Sequence, residues 1–156
     1  MSDPVRASEH QTPEGVSEET IEGVGKLSEA FEYIERARGH LYSFHQLLGQ
    51  ADFGVEEAAD MLREAGHTEF ADKLDRELIG RNVLDGRWTF QIVEEFDEVY
   101  YDFFRSVERE SRELTGGVHH LYEARLKEQR RTRGLPDHSR DPQTDDQTGD
   151  QTDDQG

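Results

Sequence analysis

The chain has 156 residues, of which only 32% are hydrophobic, a formal net charge of -18 and no cysteine. That length suits one domain with a real core. The lack of thiols excludes disulfides, thiolate zinc sites and cysteine nucleophiles, and the acidity argues against binding to nucleic acid or to anionic membranes.

The acidity is spread unevenly. Residues 135–156 hold seven Asp and one Arg, yet residues 1–134 also remain strongly acidic. Lys26, Lys73 and Lys127 are the only lysines, the other cations being arginines. Carboxylates hold water and counterions tightly, whereas long lysine stems add apolar surface, so such a composition suits concentrated salt. Codon bias combined with an acidic tail is the simpler alternative. No apolar run approaches the roughly 20 residues that a membrane span needs. The start, MSDPVRASEHQTPEGVSEET, lacks the apolar segment of a signal peptide. A cytoplasmic location is therefore expected.

Residues 1–25 read as a polar flexible arm, with no more than a frayed turn at Thr20–Val24. Residues 26–134 read as a helical domain. The first helix is expected over Leu27–Gly49, where Leu27, Phe31, Ile34, Leu41 and Leu48 keep helical spacing. Gly39 interrupts that helix at roughly 1 kcal/mol relative to Ala and suggests close approach of another helix. A second helix is expected over Val55–Ala65, ended by Gly66. A third, over Glu69–Ile79, would be capped by Thr68. Asp85-Gly86 marks a turn. The fourth helix, Trp88–Leu114, carries the stripe Val93, Phe96, Tyr100, Phe103 and Val107, with Phe90, Tyr101 and Phe104 off it. Thr115-Gly116-Gly117 ends it, and a fifth helix is expected over Val118–Arg131. No segment alternates with period two, so the fold class expected is all-α, an irregular bundle of about five helices. Residues 135–156 read as a disordered acidic tail, too polar to offset chain entropy.

Candidate chemistry rests on a few polar residues near apolar faces. On the first helix, Arg38 and His45 border the Ile34–Leu41–Leu48 stripe on one side. His40 lies on the opposite border with Tyr33 and Leu47. On the fourth helix, Glu95 and Asp102 flank the aromatic stripe, where partial desolvation would call for a cationic or hydrogen-bonding partner. On the fifth, His120 and Glu123 are i, i+3 neighbours. Together His40, His45, Glu95, His120 and Glu123 could supply a metal or small-ligand site between facing helices. The Glu-x-x-His element of diiron bundles does not occur, however, and hydrogen bonds at the bundle edge explain the same histidines. Arg81 and Arg87 could clamp a small anion, or pair with acids such as Glu77 and Asp85. Residues 125–133 hold five cations against one acid, which complements a helix C-terminus and could also meet an acidic partner surface or nucleic acid, although the acidic tail that follows could neutralise it and weighs against nucleic acid. The chain has no nucleophile elbow, phosphate loop or HExxH helix, so the reading leans away from an enzyme, and no cofactor is expected.

The stretches Phe31–His45, Gly80-Arg81-Asn82-Val83, Trp88–Glu95 and Arg130-Arg131-Thr132 resemble small helical proteins of salt-loving archaea and actinobacteria. The resemblance covers about Phe31–Gly134 and implies a helical fold in a salty interior. It carries over no catalytic residue. The leading expectation is a helical protein that acts through protein contacts, with another protein or as a homodimer, because Phe90, Tyr101 and Phe104 of the fourth helix lie off its main stripe and either pack against the short helices or form an interface. The alternative is a metal- or small-ligand-binding bundle.

Overall fold

The computed structural model describes residues 10–138. Among these the chain is all-α, with four helices and no strand, its one β-bridge being the isolated pair Leu84 and Arg87. Helix α1 runs Glu18–Glu64 and α2 runs Thr68–Glu77. Helix α3 is a continuous rod in parts: an α-helix Thr89–Phe96, a π turn Asp97–Tyr101, an α-helix Asp102–Ser111 and a closing 3-10 turn Arg112–Thr115. Helix α4 runs Leu121–Arg130.

Helix α1 differs from expectation at both ends of its first prediction. It begins at Glu18 because Ser17 caps it: the Ser17 hydroxyl oxygen accepts the Thr20 N–H at 3.2 Å, and Glu18 and Glu19 face the positive end of the helix dipole. Ile21 is then buried at 1% exposure. The polar arm expected for residues 1–25 is therefore helical from Glu18 onward. The helix also runs through Gly49 and Gly54, fusing the helices expected over Leu27–Gly49 and Val55–Ala65 and reducing five to four. A glycine ends a helix by turning left-handed, and neither does so here. Gly66 does, at φ +92, and the bonds Gly66 N–H to Arg63 O and His67 N–H to Leu62 O close the helix end.

The remaining boundaries shift less. His67, not Thr68, is the residue before α2, and it donates or accepts no side-chain cap bond. The Asp85-Gly86 turn forms as expected, with Gly86 at φ +68. Helix α4 starts at Leu121 and not Val118, because the reversal uses Gly116, Gly117 and His120 at positive φ. The Thr115 hydroxyl donates to the Arg112 and Val118 carbonyls across it. Of the tail expected from residue 135, Pro136–His138 form a 3-10 turn, and residues 139–156 lie outside the described part.

The chain divides into two compact units. One gathers the residues up to Leu27 with those from Arg109 onward. It buries Ile21, Thr115, Leu121 and Ala124, and pairs Glu18 with Arg125. Close approach occurs here at Gly25, where an added Cβ would lie 2.8 Å from Tyr122 Cβ; nothing lies within 4 Å of one at Gly39. The other unit, Ser28–Glu108, holds the candidate site. Its buried residues are Ala59, Ala71, Thr89, Val93, Tyr101 and Glu108.

Candidate functional site

Within the unit Ser28–Glu108, α1 and α3 are joined by a ladder of polar contacts. The Ser28 hydroxyl donates to Glu108 at 2.9 Å, and the Tyr101 hydroxyl donates to Glu35 at 2.6 Å. Arg38 donates from Nε and Nη2 to both oxygens of Asp97 at 2.7 and 2.9 Å. His45 Nδ1 and Thr89 Oγ1 share a hydrogen bond of 2.6 Å. Ser28 and Glu35, and Arg38 and His45, are each seven apart, so all four project along one side of α1. Aromatic rings fill the same side: Phe31 lies 5.7 Å from both Tyr101 and Phe104 between ring centroids. The Arg38 guanidinium sits 4.5 Å from the Tyr101 ring centroid and 5.1 Å from that of Tyr42.

The π turn decides which α3 residues reach this ladder. One extra residue in the helical ladder rotates everything beyond it by about 100°. Upstream, Thr89, Val93 and Asp97 face α1, as regular spacing predicts. Downstream the inward positions become Tyr101, Phe104 and Glu108 in place of Tyr100, Phe103 and Val107. Tyr101 is accordingly 8% exposed, whereas Tyr100 is 47% and Phe103 67% exposed. Asp97, Glu108, Glu35 and Tyr101 were thus absent from the sequence candidates. No sequence signal marks a π turn in this run, and the expected stripe assumed unbroken α periodicity.

Electrostatics follow from these bonds. The paired hydrogen bonds from Arg38 hold the Asp97 carboxyl below its ordinary value of 3.8, against the opposing effect of burial. The same bonds hold Arg38 above its own ordinary range. The hydrogen bond to Glu35 raises Tyr101 above 10.0, and burial adds to the rise.

At one end of the ladder lies a cleft of about 220 Å³, walled by Leu48, Phe53, Val83 and Trp88 and bordered by Asp52, Arg81 and Thr89. A clamp shapes it. The Gly80 N–H donates to Asp52 at 2.9 Å, the Trp88 indole N–H donates to the Gly80 carbonyl at 3.1 Å, and Gln91 accepts the Trp88 backbone N–H at 2.8 Å. Gly80 makes the turn at φ +72.

The sequence candidates fall into separate places. His45 takes part in the ladder, while His40 is exposed on the far border of α1. Glu95 pairs with Arg87, both about half exposed, so the ligand candidate and the anion candidate engage each other. Arg81 donates to the Glu77 backbone carbonyl at 3.3 Å. His120 Nδ1 lies 3.8 Å from Glu123 in the other unit, and the His119 and His120 rings are 3.7 Å apart. Among the described residues no group of three or more His, Asp or Glu is placed to hold a metal ion. Asp102, expected to be desolvated beside the aromatic stripe, is exposed because the π turn moves its neighbours. In the basic stretch 125–133, Arg125 pairs with Glu18 and Arg131 with Glu128.

The described residues also leave exposed the border of α1 that carries His40. Tyr33, Ala37, His40, Phe44, Leu47, Ala51, Gly54, Ala58 and Met61 alternate by four and three residues, and every one is exposed. Tyr33 is 60%, Leu47 62% and Met61 71% exposed. No charged residue interrupts these nine positions in a chain that is 35% charged, so chance placement is a poor explanation. No helix among the described residues is long and apolar enough to cross a membrane, so the stripe is not a bilayer span. Compared with known protein families, curated proteins and solved structures, the chain matches none of them.

Proposed function

We propose that this protein is a cytoplasmic, salt-adapted helical interaction protein whose first partner is a second copy of itself. The observation that carries this reading is the exposed stripe Tyr33–Met61, which keeps heptad spacing along α1 and is covered by no element among the described residues. Apolar positions repeated over three to four heptads are the pattern of a helix that pairs with another helix, and large exposed apolar patches mark contact sites. The strong acidity and the resemblance to proteins of salt-loving organisms support the setting.

The test is the solution mass of the full chain in concentrated potassium chloride, with Leu47→Glu and Phe103→Glu as variants. The reading expects twice the protomer mass of 18.0 kDa, reduced to one protomer by Leu47→Glu and kept by Phe103→Glu. Loss with Phe103→Glu alone would move the contact to α3.

A second reading draws on the cleft beside Trp88. Its apolar wall and the Arg81 guanidinium, engaged only with a backbone carbonyl among the bonds described, suit a small apolar carboxylate. Trp88 is the chain's only tryptophan, so a titration with benzoate read by its fluorescence tests this directly. The reading expects a saturable shift that disappears in Arg81→Ala.

A further inference from the structure

We infer that the α1 stripe pairs antiparallel with its copy in one register, centred at Gly49. This inference rests on the self-association proposed above and specifies its geometry. In a two-stranded coiled coil the seam positions alternate as a and d. Here the a positions are Ala37, Phe44, Ala51 and Ala58, and the d positions are Tyr33, His40, Leu47, Gly54 and Met61. Antiparallel pairing sets each a position opposite a d position of the copy.

With the two-fold axis at Gly49, every layer joins one bulky and one small residue. Leu47 meets Ala51 of the copy, Phe44 meets Gly54, His40 meets Ala58, and Met61 meets Ala37. Shifting the register by a heptad toward the N-terminus sets Phe44 against Leu47 and Ala37 against Gly54, crowding one layer and emptying another. Shifting it the other way sets Phe44 against Met61 and Ala51 against Gly54. A parallel pair sets Phe44 on Phe44, Ala51 on Ala51 and Gly54 on Gly54. Close-packed interfaces disfavour both crowding and voids, so the sizes select one register.

Two further observations agree with it. Gly54 lies inside a long helix, at no positive φ, and an added Cβ would meet nothing within 4 Å. Nothing among the described residues calls for a glycine there, whereas Phe44 of the copy does. At the flanking positions Arg36 comes beside Glu64 of the copy, while Ser43 beside Glu57 and Gln50 beside Gln50 bring no like charges together. The stripe spans about 42 Å at ~1.5 Å per residue, and the face of α1 that carries the ladder to α3 points away from it. The exposed patch on α3, Val99 with Phe103, covers little more than a turn and offers no such matching.

The chain has no cysteine, so single substitutions report pairing cleanly. His40→Cys and Ala58→Cys proteins are prepared separately, mixed, dissociated and reassociated in potassium chloride, and oxidised. The antiparallel register predicts a disulfide between the two variants in the mixture and little in either alone, since like positions then lie about 27 Å apart along the axis. Cross-linking of His40→Cys with itself would establish a parallel pair and overturn the inference. A dimer by mass that cross-links in none of the three samples would place the contact elsewhere and overturn it as well. A chain that stays monomeric by mass would remove the self-association reading beneath it.

Discussion

Arg38 grips Asp97 through two hydrogen bonds, at the first residue of a π turn whose last residue, Tyr101, stacks against the same guanidinium. The pair therefore ties the irregular turn in α3 to α1, and its side chains are about a quarter exposed. Bidentate charged bonds of this kind are worth roughly 1.5–3 kcal/mol, and partial exposure lowers that. Asp97→Asn should destabilise the protein by about 1–2 kcal/mol at neutral pH.

The pH dependence of that difference follows from the direction of the shift. Asp97 is held below 3.8 in the folded state, so its contribution is present above 3.8 and fades as pH falls through the lower folded value. The gap between wild type and Asp97→Asn in urea unfolding should shrink on acidification below 3.8. Tyr101 works at the other limb. Its pKa is raised above 10.0, so its contribution is present below that value and is lost as pH climbs beyond it. Tyr101→Phe should remove that alkaline loss. Gaps that do not change with pH would assign both effects to packing.

Deletions should separate the π turn from the rest of α3. Val99 is 70% exposed inside the turn, and removing it returns the rod to α spacing with Thr89, Val93, Tyr101 and Glu108 still inward. Removing Arg105, in regular helix, instead rotates Glu108 out of its bond with Ser28. Deleting Val99 should cost less than about 2 kcal/mol and deleting Arg105 more than about 3 kcal/mol. Thermal unfolding of the two variants checks the order, and equal losses would contradict this account of the turn.

Gly80 should resist substitution through its backbone alone. An added Cβ would stand 3.7 Å from Trp88, an ordinary contact, but φ +72 is unfavourable for any other side chain. Gly80→Ala should cost about 1–2 kcal/mol and shift Trp88 fluorescence as the indole bond to the Gly80 carbonyl loosens. Unchanged emission with unchanged stability would show that the clamp with Asp52 is not holding the loop.

Salt should stabilise the fold. With net charge -18, self-repulsion opposes compactness, and the screening length falls from about 10 Å at 0.1 M to about 3 Å at 1 M. The thermal midpoint should rise with potassium chloride through that range. A flat response would return the acidity to codon bias and tail composition.

The all-α class was legible because apolar residues such as Ile34, Leu41 and Leu48 keep helical spacing and no segment alternates. The turn at Asp85-Gly86 was legible for local reasons, since its residue types dictate its backbone. The end expected at Gly49 does not form, because glycine is permissive and only its conformation in context ends a helix. Ser17 was overlooked as a cap because Gly23 and Gly25 dilute the pattern behind it. The site suffered most from the π turn. Tyr101 and Glu108 lie off the expected stripe, and their partners Glu35 and Ser28 had no reason to stand out without them. The face bearing Tyr33, His40 and Leu47 was visible as a border; its exposure needed the structure.

The central claim is that α1 pairs with a second copy of the chain. Light scattering of the full-length wild-type protein in concentrated potassium chloride, across a dilution series, tests it most directly. The account predicts a mass of twice 18.0 kDa that falls toward one protomer on dilution. A mass of one protomer at every concentration would contradict it.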